Sequence, residues 1–226
     1  MPALQLSGIE MAFPGLDAPA LSIPALNVPA GAQVAVAGPS GSGKSTLVNV
    51  ITGLERPGRG RVLWGGQDIA TLSEPARDRW RGAHIGLVMQ DFHLFPGLSA
   101  LENVLLPARL ARVADRALEA RAAALLAEVG LARPSQRIET LSRGEMQRTA
   151  VARALLRAPG VIVADEPTAS LDTTNAAAIG DLLIRMAARS GATLIVVSHD
   201  PALLARLPRQ IVLRGGTVAE DRAEAA

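Results

Sequence analysis

The sequence predicts an α/β fold: a mostly parallel sheet with flanking helices, an antiparallel β edge and an inserted all-helical lobe. Three observations predict it. The apolar runs at 161–164 and 193–197 are short and uninterrupted, which is typical of buried parallel strands. An amphipathic helix pattern lies between those two runs, as in a strand–helix–strand unit. Residues 99 to 157 carry no strand pattern, which indicates the lobe.

The strands are predicted first from turns and apolar patterns. Residues 3 to 37 read as short strands separated by Pro and Gly turns, and they supply the antiparallel edge. Within this stretch, 33–37 is a buried strand that leads into a glycine-rich loop. A strand and hairpin are predicted at 61–66, and a further strand at 84–90.

The helices complete the predicted order. One runs from 46 to 51 and ends at Gly53, and an alanine-rich helix from Asp115 to Val129 ends at Gly130. Others cover about Gly144 to Arg157 and Asn175 to Arg189. We therefore expect one domain over 1–226, with its core at about 1–91 and 158–226 and the helical lobe at about 92–157.

Composition limits the classes of function. The calculated pI is 10.2, but the net charge is only +2, because almost no side chain of this chain titrates between about pH 8 and 10. Aromatic residues make up 2%, which argues against base stacking, and we expect no nucleic-acid partner. The absence of cysteine excludes disulfides and thiolate metal sites. No signal peptide or membrane-spanning run is evident, so we expect a cytoplasmic protein whose link to a membrane comes through a partner.

The most informative segment surrounds the only lysine of the chain. Of the 23 Lys and Arg residues, Lys44 alone is a lysine, and it stands in the spacing G-x-x-x-x-G-K-S of a phosphate-binding P-loop. Backbone N–H groups of such a loop and the following helix N-terminus bind phosphate, the lysine reaches the β- and γ-phosphates, and Ser45 ligates Mg²⁺. The predicted ATP-binding residues of this loop are Gly38, Pro39, Ser40, Gly41, Ser42, Gly43, Lys44, Ser45 and Thr46.

Two carboxylates follow the strand at 161–164. Asp165 is placed to hold Mg²⁺, and Glu166 is placed to polarise a water for attack on the γ-phosphate. Taken alone, paired acids after a strand can equally cap the next helix.

Four further motifs accompany these two, and together they resemble the nucleotide-binding subunit of ABC transporters over nearly the whole chain. They are Gln90 at a strand end, the signature segment at 141–148, the D-loop (Ser170, Leu171 and Asp172) and the switch histidine His199. The resemblance implies ATP and Mg²⁺ as cofactors. It also implies that Glu166, His199, Gln90 and Lys44 act in catalysis, and that Ser45, Gln90 and Asp165 hold Mg²⁺.

The signature segment is expected to act on the nucleotide of a second subunit. Its residues are Leu141, Ser142, Arg143, Gly144 and Glu145. The spacing of Ser142 and Glu145 also predicts a helix capping box. The resemblance implies that each ATP is bound between two subunits of a head-to-tail homodimer. Arg143 replaces a glycine of the usual motif and Glu145 a glutamine. Arg143 either adds bulk that lowers activity or adds charge near the phosphate.

The aromatic that stacks on adenine in the family is usually a tyrosine, and here only Phe13 fits. A core role for Phe13 stays open. His84 and His93 match no motif.

The resemblance also implies a transmembrane permease subunit that docks near Gln90 to Leu98, an apolar loop-like segment. This places the chain at the inner face of the membrane. The segments 89–104 and 164–168 look most like the branch that serves lipoprotein release and macrolide export.

The alternative is an ATP-binding regulatory cassette with little turnover. A translation-factor ATPase would need two cassettes, and a chromosome-maintenance ATPase a long coiled coil. The cargo and the direction of transport are not encoded here.

Overall fold

The structure is a computed structural model that describes residues 2–223. The strands in this range are β1 (Leu4–Met11), β2 (Leu21–Val28), β3 (Gln33–Ala37), β4 (Arg59–Trp64), β5 (Gln67–Asp68), β6 (Ile85–Val88), β7 (Val161–Asp165), β8 (Thr193–Val197), β9 (Arg209–Arg214) and β10 (Thr217–Ala223). The helices are α1 (Lys44–Thr52), α2 (Glu74–His84), α3 (Ala100–Leu110), α4 (Arg116–Glu128), α5 (Arg143–Leu155), α6 (Thr173–Ser190) and α7 (Pro201–Leu204). None of the helices within 2–223 is long and apolar enough to cross a bilayer.

The larger sheet has six strands in the order β10-β9-β3-β8-β7-β6. All are parallel except β10, which pairs antiparallel with β9. Side chains alternate between the faces, so Val34 and Val36 belong to one apolar cluster while Ala35 belongs to the other. Because parallel strands end at the same edge, β3, β7 and β8 bring the residues that follow them to one place.

The predicted antiparallel strands are confirmed, and they form a sheet of their own in the order β2-β1-β4-β5. Leu4 pairs with Val28 on one side and with Trp64 on the other. Pro24 lies in β2, at the edge of the sheet, where a missing N–H costs no ladder bond. The sheet packs on α1, and the Trp64 indole donates to the Ile51 carbonyl at 2.8 Å.

Helices α3, α4 and α5 lie in the segment predicted as a lobe. Their buried apolar residues, such as Leu105, Leu126 and Val151, share one cluster with Ile162 of β7 and Leu183 of α6. The helices therefore have no core separate from that of the parallel sheet. Burial is continuous from the lobe to one face of the sheet, so a shift of the lobe is felt at the strand ends.

The structure differs from the prediction in two ways near residue 84. The strand predicted over 84–90 is confined to Ile85–Val88, because His84 is the last residue of α2 and its Nδ1 lies 2.8 Å from the Trp80 carbonyl oxygen. Helix α2 was not predicted from the sequence. Only Trp80 of its eleven residues is buried, so it lacks the apolar periodicity by which helices are recognised.

Candidate nucleotide-binding site

Glycines determine the backbone conformation of the loop between β3 and α1. Gly41 and Gly43 have positive φ values of 75° and 95°. A Cβ at Gly38 would lie 2.4 Å from the Leu213 carbonyl oxygen, and one at Gly43 would lie 2.6 Å from that of Ala20. The chain therefore passes too close to its neighbours for any side chain at these two positions. The first turn of α1 contains no acidic residue, so its free N–H groups are available to an anion.

Lys44, the first residue of α1, folds back over this loop. Its ammonium donates to the carbonyl oxygens of Gly38 at 2.9 Å and Pro39 at 3.0 Å. Within residues 2–223 it forms no ion pair with a carboxylate. The acceptors of its hydrogen bonds are neutral carbonyl oxygens, so its charge is available to a phosphate.

A cleft of about 550 Å³ opens in front of the loop. This volume is ordinary for a small-molecule site. The cleft brings together parts of the chain that are far apart in sequence. Its walls are formed by Leu16, Asp17, Ala18, Pro19, Ala20, Ser40, Gly41, Gly43, Lys44, Ser45, Thr46, Gln90, Glu166, Gly215 and Gly216.

The residues predicted to hold Mg²⁺ lie at one side of this cleft. Asp165 ends β7, and its Oδ1 is buried without a hydrogen-bond partner in the described structure. Burial raises the pKa of Asp165, and the charge of Glu166 adds to the rise, while the Ser45 hydroxyl and the Lys44 ammonium oppose it. Gln90 lines the cleft as well. Carboxylate, hydroxyl and amide oxygens are the donors that Mg²⁺ prefers, and the unpartnered Oδ1 fits such an ion or its water.

Glu166 and His199 are in direct contact. Glu166 has a φ of 47°, and its N–H donates to the Val197 carbonyl at 2.8 Å, which ties the residue to the end of β8. His199 Nδ1 lies 2.8 Å from Glu166 Oε2. An ionised carboxylate only accepts, so Nδ1 of His199 carries the hydrogen of this bond. The Glu166 side chain is 13% exposed and that of His199 is 69% exposed.

The signature segment begins α5. Ser142 caps the helix, and the Glu145 carboxylate accepts from the Ser142 N–H at 2.9 Å and from its hydroxyl at 2.8 Å, which is the predicted capping box. These bonds hold the pKa of Glu145 below its usual value. The Arg143 guanidinium stands 6.0 Å from the centroid of the Phe92 ring. Leu141 is buried. None of the residues Leu141 to Glu145 lines the described cleft of its own chain.

The D-loop meets the signature helix through one asparagine. Asp172 caps α6 by accepting from the Asn175 N–H at 2.9 Å and from its amide at 2.6 Å. These bonds lower the pKa of Asp172. A Cβ at Gly144 would lie 2.9 Å from Asn175 Oδ1, so the two helix starts are in close contact. Leu171 and His199 line a second cleft of about 440 Å³ beside the D-loop. Ser170 immediately precedes Leu171 in this loop.

Comparisons with known proteins identify the family. The model of the family described as ABC transporter matches residues 21–169. This chain belongs to the ABC transporter family. The lipoprotein-releasing system ATP-binding protein LolD of Chromohalobacter salexigens is 45% identical over 193 residues, 85% of this chain and 81% of the relative. LolD of Pseudomonas syringae pv. tomato is 42% identical over 84% of each chain.

Solved ABC cassettes share the fold. The dimeric ATP-binding cassette MJ0796, in a post-hydrolysis state bound to ADP and Pi, matches with a TM-score of 0.90 and 33% identity over 99% of both chains. A second dimeric structure of that cassette gives a TM-score of 0.89. The predicted ABC family and α/β fold class are confirmed.

One wall of the cleft contains residues that were not predicted from the sequence. Phe13 is not among the described residues that line the nucleotide cleft, whereas Leu16 is, with 56% of its surface exposed. Gly215 and Gly216, the turn between β9 and β10, also line the cleft and were missed. A Gly-Gly pair between two strand patterns is a hairpin signal that would have found this turn. The stacking role of Phe13 stays a prediction.

The segment from Gln90 to Leu98 is held on the cassette by two side chains of the helical lobe. The Arg153 guanidinium donates to the Phe92 carbonyl at 2.7 Å and to that of His93 at 2.5 Å. The fully buried Asn103 accepts from the Phe95 N–H at 2.7 Å. The Phe95 side chain is left 54% exposed. The backbone of the segment is thus anchored, while an apolar side chain faces outward.

Proposed function

We propose that this ABC cassette hydrolyses Mg-ATP as the ATPase subunit of a transporter of the lipoprotein-releasing type. One observation carries the proposal of hydrolysis. A carboxylate, Glu166, is oriented by a hydrogen bond from His199 at the wall of a cleft that also presents Lys44 and Ser45. A base oriented by a second group beside a phosphate site is the arrangement that water attack on a phosphoryl group needs.

Each residue of the cleft has its own role in the proposed hydrolysis. The N–H groups of the P-loop and the Lys44 ammonium bind the β- and γ-phosphates of ATP. Ser45, Asp165 and Gln90 supply the oxygen donors for Mg²⁺, which adds positive charge to those phosphates when it is bound. Glu166 accepts a proton from the attacking water, and the bond from His199 keeps its carboxylate in place. The His199 side chain is 69% exposed.

We infer that the complete site needs two copies of the chain. The signature segment lies away from the cleft of its own subunit, and its helix presents a capped N-terminus with exposed Ser142 and Arg143. The family resemblance implies that the exposed start of this helix contacts ATP bound to a second subunit. The similarity to MJ0796, which was solved as a dimer in two structures, supports a homodimer closed by ATP.

The branch assignment rests on the relatives. Seven proteins named lipoprotein-releasing system ATP-binding protein are 41% to 45% identical to this chain. We propose that a permease subunit docks at the segment from Gln90 to Leu98, where Phe95 is exposed, and that the cassette lies at the inner face of the membrane through this partner. ATP-driven closure of the two cassettes then moves the permease.

Steady-state ATPase activity tests the proposal. We expect Mg²⁺-dependent phosphate release by the purified cassette, and a higher rate after reconstitution with its membrane partner in nanodiscs. ATP binding without phosphate release in the reconstituted complex would contradict the proposal and favour a regulatory cassette. The matched control is Lys44→Ala, which removes the phosphate contact and should abolish both binding and turnover.

A further inference from the structure

The turn between α3 and α4, which we call the α3–α4 tip (residues 107–116), exposes two large apolar side chains. Leu110, the last residue of α3, is 74% exposed, and Val113 is 42% exposed. Among the large apolar side chains that are exposed in residues 2–223, only these two lie within three positions of one another. Single exposed apolar residues are ordinary, whereas a pair of them beside charged residues indicates a contact surface.

The backbone of the tip is hydrogen-bonded, so the exposure is part of the fold. The Val113 N–H donates to the Ala108 carbonyl at 2.9 Å, and the Arg112 N–H donates to that of Arg109 at 3.0 Å. These two bonds form the Schellman motif that ends many helices. The motif holds Leu110 and Val113 in position at the surface.

Three arginines accompany the apolar pair. Arg109, Arg112 and Arg116 are exposed, and within residues 2–223 none of them forms an ion pair with a carboxylate. The acidic residue of the tip, Asp115, caps α4 by accepting from the Leu118 N–H at 2.8 Å. The tip therefore combines exposed apolar side chains with an excess of positive charge.

Two of these arginines lie at positions where arginine does not favour folding. Arg112 has a φ of 56°, at the position of the Schellman motif where glycine is usual because a Cβ disfavours the left-handed region. Arg116 is the first residue of α4, where the positive end of the helix dipole opposes a cation. Local stability therefore does not account for these two charges, whereas binding of an anionic partner does.

Helix α3 joins the tip to the segment at which we place the permease. Asn103 of α3 accepts from the Phe95 N–H at 2.7 Å, which anchors that segment to the helix. The rise of an α-helix places Leu110 about 10 Å further along the axis. The tip is therefore close to a partner that crosses the bilayer.

We propose that the α3–α4 tip binds the surface of a bilayer that contains anionic lipids. Leu110 and Val113 enter the headgroup region, and the three arginines of the tip bind lipid phosphates. Apolar side chains beside arginines suit this boundary, because the apolar groups leave water while the guanidinium groups bind anionic headgroups. The inference goes beyond the proposed function, in which only the permease holds the cassette at the membrane, and rests on it only for the nearness of the bilayer.

Binding of the full chain to vesicles tests the chemistry. Co-sedimentation is measured with vesicles of phosphatidylcholine and phosphatidylglycerol in equal parts, and with vesicles of phosphatidylcholine alone. We expect binding to the anionic vesicles only, and weaker binding at high salt. Leu110→Ser should weaken it about tenfold, and Leu54→Ser, at an exposed leucine outside the tip, should not. Equal binding to both kinds of vesicle, no binding, or equal effects of the two serine variants would overturn the inference.

Substitutions of Arg112 separate lipid binding from folding. Arg112→Gly removes the charge and the strain of the left-handed backbone, so it should weaken vesicle binding about fivefold while it raises Tm by about 2 °C. Arg112→Lys keeps the charge and should bind within about twofold of the wild type. The control is Arg56→Gln, at an exposed arginine outside the tip, which should bind as the wild type does. Wild-type vesicle binding by Arg112→Gly would contradict the proposed contact.

A fluorophore tests lipid contact in the assembled transporter. The chain has no cysteine, so Ala114→Cys carries a single label in the tip, and Ala127→Cys carries one near the other end of α4. Each variant is reconstituted with the membrane partner in nanodiscs that contain brominated lipid. We expect quenching of the label at position 114 and not at position 127. An unquenched label at position 114, covered by the permease or by a second copy of the chain, would overturn the inference.

The outcomes separate this inference from the proposed function. Vesicle binding by the full chain needs no permease, so it remains measurable even if no membrane subunit assembles. Failure of the chain to hydrolyse ATP or to assemble with a membrane subunit would overturn the proposed function alone. Normal ATPase activity of the reconstituted complex, together with absent vesicle binding and an unquenched label at position 114, would overturn the lipid contact alone.

Discussion

Nδ1 of His199 lies 2.8 Å from Oε2 of Glu166, although the two residues follow different strands of the parallel sheet. The Glu166 N–H bond to Val197 fixes the strand ends relative to one another. The contact makes His199 a positioning partner for Glu166.

Replacing His199 by Ala should therefore lower kcat about 100-fold, the lower end of what acid–base groups contribute. Affinity for ADP, which lacks the γ-phosphate, should stay unchanged. Phosphate release and titration with a fluorescent ADP analogue measure the two quantities. A parallel loss of ADP affinity would show that the substitution disturbs the P-loop instead of the catalytic pair.

Lys44→Arg should fail although it keeps the charge. A compact ammonium reaches the carbonyls of Gly38 and Pro39 from inside the loop, and a planar guanidinium does not fit that space. Loss of the contact costs about 2–4 kcal/mol of ATP binding, roughly 30-fold to 1000-fold in affinity. Equilibrium binding of ATP measures it, and wild-type affinity would refute the role given to Lys44.

Arg143→Gly restores the usual signature residue and should change kcat less than about threefold, roughly 0.6 kcal/mol. Arg143 is exposed and stands 6.0 Å from the Phe92 ring, where a cation–π contact is weak. ATP affinity of the monomer should stay the same, because the signature does not line its own cleft. A hundredfold loss of ATPase activity would mean that the site depends on the guanidinium.

The capping box at Ser142 predicts a pH-dependent stability. The hydrogen bonds from Ser142 make the pKa of Glu145 lower in the folded state than in the unfolded state. Glu145 therefore stabilises the fold at pH values above its unfolded-state pKa, and this stabilisation is lost as the pH falls through its folded-state pKa. At pH 7, Glu145→Gln should lower Tm by about 2 °C, a small effect for a mostly solvated cap. The difference should disappear at acid pH. Glu119→Gln, in the first turn of α4, is the matched control outside a capping box.

The phosphate and metal residues could be predicted from sequence because each follows a recognisable strand. Gly38 to Thr46 follow β3, and Asp165 ends β7, so the shared edge of a parallel sheet brings them together. The 2.8 Å contact between Glu166 and His199 was not predicted, since it depends on how β7 and β8 pair.

The cleft wall formed by segment 16–20 and the Gly215–Gly216 turn could not be predicted in the same way. The two parts lie beside one another, and the Ser22 N–H donates to the Gly216 carbonyl at 2.8 Å. Such a contact joins two loops of the chain that no periodic pattern connects. Helix α2 was not predicted because Trp80 is its only buried residue, so it shows no apolar helical periodicity.

The most direct test of the central claim is the oligomeric state of Glu166→Gln, measured by size exclusion with light scattering in the presence and absence of saturating Mg-ATP. The amide keeps the shape of the side chain but cannot accept the proton from water, so ATP should stay bound between two subunits. The account predicts a dimer with ATP, a monomer without it, and very little phosphate release. A monomer under saturating Mg-ATP, or hydrolysis near the wild-type rate, would contradict it.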